Sequence, residues 1–203
     1  MKIIFVIISL ILIVIVYDNF FSHHLIQSPV IVKNIPTNSP TLIPDKLAEP
    51  IDEFKKRITK KSFGIYVTPQ NSPVSPEKFN GFHTGIDIEY EDIFTDVNVF
   101  SIDDGKIIYS GYVNGYGGFI AIQYSKYIAI YGHLKPSSLI VNKSLVKKGE
   151  KIAILGQDHS IETDNERKHL HFAILNGSKL DFRGYVQKQS DLSFWQNPLD
   201  LFN

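Results

Sequence analysis

The chain has no cysteine. That excludes disulfides, a cysteine nucleophile and a thiolate metal site. It also excludes anchoring through a lipidated amino-terminal cysteine, so any bound metal must rely on histidines and carboxylates. Charge of one sign is missing too: 21 Lys and Arg balance 21 Asp and Glu. Without a strong basic field, no nucleic-acid partner is expected. No long helical period and no internal repeat run through the chain, which argues against a helical bundle or a coiled coil, and a monomer is expected. There is no H-E-x-x-H fragment, so a glutamate base of that metalloprotease type is absent.

What is present divides the chain in three. Met1–Tyr17 is apolar after Lys2 except for Ser9, and Phe20 and Phe21 extend it. About 20 apolar residues span a bilayer, and no small-x-small cleavage site follows the run. Residues 1–21 are therefore expected to form an uncleaved transmembrane helix, with a cleaved signal peptide as the alternative and secretion as its consequence. Lys2 on one side and Asp18 on the other place the rest of the chain outside the cytoplasmic membrane. Residues 22–50 carry Pro29, Pro36, Pro40, Pro44 and Pro50 and read as an extended linker. Residues 51–203 read as one folded domain, its apolar content ordinary for a globular protein.

Within that domain, Ile51, Phe54 and Ile58 predict a short amphipathic helix over 51–61, with its lysines and Arg57 facing away. From Phe63 onward β-branched and aromatic runs predict short strands: 64–67, 97–102, 106–109, 119–124, 127–131 and 169–175. Asp103-Asp104-Gly105 and Tyr124-Ser125-Lys126-Tyr127 fall where hairpin turns are expected. The predicted class is mostly β, with antiparallel sheet.

Three fragments carry the chemistry: His83-Thr-Gly-Ile-Asp87, Tyr131-Gly-His133-Leu134 and His169-Leu-His171-Phe172. Each alone is a common pattern. Together they bring five groups suited to zinc and its catalysis into one domain. In a strand, residues i and i+2 face the same way, so His169 and His171 share one side while Leu170 and Phe172 face the core. Gly85 permits the bend that lets His83 and Asp87 converge. A catalytic zinc site uses three protein ligands and keeps a position for water, so some of the five groups act without binding metal. By contrast, His159, Glu162, Asp164 and Glu166 sit in a polar loop and are expected to be solvated. Tyr116 and Tyr131 read as turn and strand aromatics.

Over residues 63–182 these fragments resemble the M23 family of zinc metallopeptidases, of the lysostaphin and LytM type. Asp104-Gly-Lys-Ile-Ile-Tyr109, Gly115-Tyr-Gly-Gly118, Val146–Ile152 and Leu155-Gly156 fit the same pattern. The resemblance implies antiparallel sheets forming a long substrate groove. It implies His83, Asp87 and His171 as ligands of Zn2+, and His133 and His169 as catalytic histidines beside it. It also implies hydrolysis of peptide cross-links or stem peptides in bacterial peptidoglycan. A non-catalytic wall-binding or hydrolase-regulating module of the same fold is the alternative, followed by a peptidase of proteins and a biotin-carrier-like domain. Two segments depart from the family: the approach Gln157–Lys168 is polar and charged where relatives carry a short Gly-Pro turn, and Ile88–Asp96 lacks the usual Pro and Gly. Both are expected to border the groove and to bear on the substrate.

Overall fold

The structure, a computed structural model, describes residues 46–141 and 144–203. The predicted membrane segment, and the predicted linker as far as residue 45, lie outside the described residues. Among the described residues no helix is long and apolar enough to cross a membrane. The strands are β1 (Tyr66–Val67), β2 (Gly81–His83), β3 (Gly85–Glu89), β4 (Asn98–Phe100), β5 (Gly105–Val113) and β6 (Gly117–Gln123), then β7 (Tyr127–Leu134), β8 (Leu145–Val146), β9 (Lys151–Ile154), β10 (His169–Asn176), β11 (Tyr185–Val186) and β12 (Trp195–Gln196).

Every strand pairing is antiparallel. The main sheet runs β12-β10-β7-β6-β5-β8, and β3 pairs with β10 on the edge it shares with β12. β2 lies between β1 and β11 in a small sheet, and β4 pairs with β9. The mostly β, antiparallel class is thus as predicted, and β5, β6, β7 and β10 grow from the predicted runs.

Side-chain alternation explains why the sheet buries both faces. Ile86, Ile88, Ile120, Ile122, Ala129, Tyr131, Leu170, Phe172 and Ile174 pack into one apolar cluster. Phe119, Ala121, Ile128, Ile130, Ala173 and Leu175 pack with Trp195 and Tyr116 into a second, on the opposite side. His169 and His171 share the face of Ala173 and Leu175, so the H-x-H fragment lies where the second cluster gives way to a cleft.

Three expectations need correction. The predicted helix over 51–61 is only a 3-10 turn at Phe54–Arg57. Ile51 instead forms an antiparallel bridge to Val99, while Phe54 is fully buried against Phe172 and Phe202. Tertiary contacts thus override the helical spacing. Arg57 lies over the Tyr90 ring and pairs with Asp92, while Lys61 is buried. Asp103-Asp104-Gly105 does not close a hairpin, because β4 pairs with β9 and β5 with β6 and β8. The turn at Tyr124–Tyr127 does join β6 to β7.

The β5–β6 turn needs glycine for two separate reasons. Gly117 has φ +68°, and a Cβ there would lie 1.9 Å from the Glu162 carbonyl oxygen. Left-handed backbone costs an L-residue about 1–2 kcal/mol, and the clash with main chain adds to it. Gly117→Ala is therefore expected to destabilise the domain by more than about 2 kcal/mol, read as a lower urea midpoint. An unchanged midpoint would show that the approach loop yields freely.

Candidate metal centre

Strand register brings the predicted residues together. On the β3–β10 ladder His171 pairs with Asp87 and His169 with Glu89. On β7 the partner of His171 is Gly132, where a Cβ would sit 2.4 Å from Tyr116 Cδ1. His83 closes β2, with Thr84 alone between it and the start of β3. His83 Nε2, His171 Nδ1 and Asp87 Oδ1 converge: the two nitrogens are 3.1 Å apart, and each is 3.2 Å from the oxygen. Gly85 allows this approach, since a Cβ there would lie 2.6 Å from the Phe172 carbonyl oxygen and 3.0 Å from His171 Nε2.

This triangle fits a divalent ion. Two ligand atoms on tetrahedral zinc, with bonds of about 2.0–2.1 Å, stand about 3.3–3.4 Å apart. His83 Nδ1 lies 3.2 Å from the Ser62 carbonyl oxygen and donates to it, which leaves the Nε2 lone pair facing inward. Nitrogen and carboxylate acceptors at this spacing repel one another unless a cation or proton lies among them. On the far edge of the His171 ring, Nε2 is buried without a hydrogen-bond partner, so the ring is held by its Nδ1 side.

The other two histidines stand beside the triangle. His169 Nδ1 donates to the Arg167 carbonyl at 2.8 Å, and its Nε2 lies 3.4 Å from Asp87 Oδ2. Strand alternation would turn His133 toward the core with Tyr131. Instead the register shifts between Gly118 and Phe119, so His133 is an extra residue on β7, with φ 61°. Bulges re-aim side chains in this way. His133 Nδ1 donates to the Thr163 carbonyl at 3.0 Å, and the His133 and His169 rings are 4.3 Å apart.

Burial, with His171 close by, pushes the His133 imidazole down to about 3. Burial and the Arg167 cation hold His169 well below the usual histidine range, and burial also lowers His171. Burial alone would raise the Asp87 carboxyl, but the neighbouring His169 and His83 and the bonds from His171 and His83 hold it well below its ordinary range. At neutral pH the site therefore presents neutral His133, His169 and His171 beside an ionised carboxylate.

A cleft of about 310 Å³ opens over these groups; Asp87, His133, His169 and His171 line it, with Tyr116, Phe182 and Tyr185 among its aromatic walls. Tyr116 is thus a cleft residue, whereas Tyr131 lies in the core with its hydroxyl 3.0 Å from that of Tyr124. Phe79 stacks on Tyr185 at 5.1 Å.

The approach loop also differs from expectation. His159 is exposed, but the acids are not merely solvated. Glu166 is buried and pairs with Lys78 at 3.1 Å. Asp164 accepts from the Gly115 amide at 2.8 Å and the Tyr112 hydroxyl at 3.0 Å, and Glu162 accepts from the Gln157 amide at 3.0 Å. These bonds fasten the loop that carries the Thr163 and Arg167 carbonyls.

Sequence reasoning missed several supporting residues. The Lys61 carbonyl accepts the Asp87 amide at 3.0 Å. Its ammonium pairs with Glu77 at 2.5 Å and reaches the Tyr185 hydroxyl at 3.0 Å. Burial alone would raise the Glu77 carboxyl, but bonds from Lys61, Ser72 and the Phe79 amide leave it lowered. Breaking a buried pair typically costs about 3–5 kcal/mol, because one charge is left alone. Lys61→Met should lose that much stability at pH 7. A depressed carboxyl contributes above its unfolded value and loses its contribution as pH falls, so the deficit should shrink in acid. A deficit independent of pH in urea titrations would contradict this account.

Comparison with known proteins agrees with the fold. The catalytic domain of the antimicrobial peptidase lysostaphin from Staphylococcus simulans superposes with a TM-score of 0.50 at 23% identity, over 72% of this chain and 93% of that one. A chain of the SpoIIIAH and SpoIIQ complex does so with a TM-score of 0.50 at 18% identity, over 76% and 98%. At these identities the likeness concerns the fold alone. An uncharacterized lipoprotein, YgeR, from Escherichia coli (strain K12) is 35% identical over 97 residues, 47% of this chain. The match spans about a third of that relative, 35% of its length. The family model for peptidase family M23 matches residues 81–182, half of the sequence, and this range includes His83, Asp87, His133, His169 and His171. The chain belongs to peptidase family M23.

Proposed function

We propose that this protein is a zinc-dependent endopeptidase acting on peptide cross-links or stem peptides of bacterial peptidoglycan. The observation that carries the reading is the triangle of His83, Asp87 and His171 atoms with the His133–His169 pair beside it at the cleft. His83, Asp87 and His171 would hold the ion. When bound, zinc supplies a polarised water of lowered pKa and a Lewis acid for the scissile carbonyl.

The chain's own residues do the rest. With Nδ1 tied to a carbonyl, His133 and His169 each present Nε2 as an acceptor. One of them takes a proton as the nucleophile adds to the carbonyl carbon, then hands it to the leaving amine as the C–N bond breaks. Once protonated, that ring also donates toward negative charge on the carbonyl oxygen. The aromatic walls exclude water and hold an extended peptide.

In this reading residues 51–203 are the peptidase domain, residues 22–50 a spacer, and residues 1–21 the membrane anchor that faces the domain toward the wall. The test is release of soluble peptides from dye-labelled peptidoglycan. Release should stop on chelation and return with stoichiometric zinc. Release unaffected by complete metal removal contradicts the metal assignment.

A further inference from the structure

Arg167 continues the period of the H-x-H fragment. Arg167, His169 and His171 stand two residues apart, opposite the Asp87–Glu89 pair that is spaced alike on β3. Arg167 is 4% exposed. Its Nη2 donates to Asp87 Oδ2 at 2.8 Å and to Glu89 Oε1 at 2.7 Å, and its Nε donates to Glu89 Oε2 at 2.9 Å. Nη1 makes no hydrogen bond; Glu166 Oε2 lies 4.0 Å away. A cation this deep is tolerated because two carboxylates pair with it.

The consequence lies in how the carboxylate oxygens are shared. Asp87 Oδ1 faces His83 and His171, while Oδ2 is taken by Arg167. Both oxygens of Glu89 are taken by the planar fork. A carboxylate without such a partner is free to offer a metal both oxygens, and a second acid on the same strand face adds another candidate ligand. Either would fill the position that a hydrolytic site keeps for water.

We propose that Arg167 is a positioning residue that keeps Asp87 a one-oxygen ligand and holds Glu89 out of the ion's coordination. This rests on the zinc-site reading above, and its test separates the two. The experiment is cobalt(II) substitution in the full chain, held in mild detergent, followed by visible absorption. Four-coordinate cobalt absorbs several-fold more strongly than five- or six-coordinate cobalt, so band intensity counts ligands.

The wild-type protein should take up one equivalent with an intense band. R167M should still take up one equivalent, with the band weakened at least ~3-fold and kcat lowered at least ~10-fold at little-changed KM. R167K keeps the charge without the fork and should fall between the two. An R167M band as intense as that of the wild type overturns the proposal. So does loss of cobalt uptake in R167M, since Arg167 would then hold the site together rather than limit its ligands. If circular dichroism shows R167M unfolded, R167K decides: a full-intensity band overturns the proposal and a weakened one supports it. Failure of the zinc reading itself looks different, because D87A and H171A would then bind cobalt as the wild type does.

Discussion

Alanine at His83, Asp87 or His171 should remove stoichiometric zinc and abolish turnover. A three-ligand centre that loses one protein ligand keeps only two, and even outer-shell changes cost about 10–100-fold in metal affinity. Loss of a direct ligand should therefore exceed ~10³-fold, enough to empty the site on dialysis. Asp87 needs a gentler companion, because its removal leaves Arg167 hydrogen-bonded to the Glu89 carboxylate alone. Asp87→Asn keeps the volume and one oxygen while removing the charge, and should lose zinc with less damage to stability. The check is metal content per folded protein, with a chelator competition for the affinity. Full zinc occupancy in all three alanine variants would remove the basis for the ligand assignment.

The second large effect divides binding from chemistry. His133→Ala and His169→Ala should keep zinc and lose about 10²–10⁴-fold in kcat, the usual contribution of a positioned acid–base group. KM should change little, since neither ring is proposed to grip the substrate. His133 sits at φ 61°, where alanine is strained and asparagine is tolerated. His133→Asn thus separates the lost imidazole from a disturbed bulge. A variant of either histidine with undiminished kcat would take that residue out of the reaction.

How much of this could be read from the sequence depends on how each contact is made. The strands β6, β7 and β10 were legible because apolar residues alternate or run together there and tolerate burial on both faces. The clustering of the five candidate residues was legible because metal and proton-transfer chemistry admits few side chains, and these recur at short spacings. The segment around Ile51 and Phe54 misled, because three apolar residues at helical spacing also suit a bridge and a buried ring. The contacts of Lys61 with Asp87 and of Ser62 with His83 left no trace, because they are made through main-chain carbonyls that any residue has. Arg167 and Glu89 did leave a trace: each continues a period of two from a candidate site residue. His133 was legible as a residue but not as a direction, since its bulge arises from a register shift between strands.

The most direct test of the central claim is mass spectrometry of fragments released from purified peptidoglycan. Wild-type protein and His133→Ala should be compared with equal zinc content. The account predicts fragments with new amine and carboxyl ends, formed by the wild type and reduced at least ~10²-fold in the variant. No new ends from a folded, zinc-loaded wild-type protein, across peptidoglycans of differing cross-bridge, would contradict it and point to a wall-binding or regulatory module.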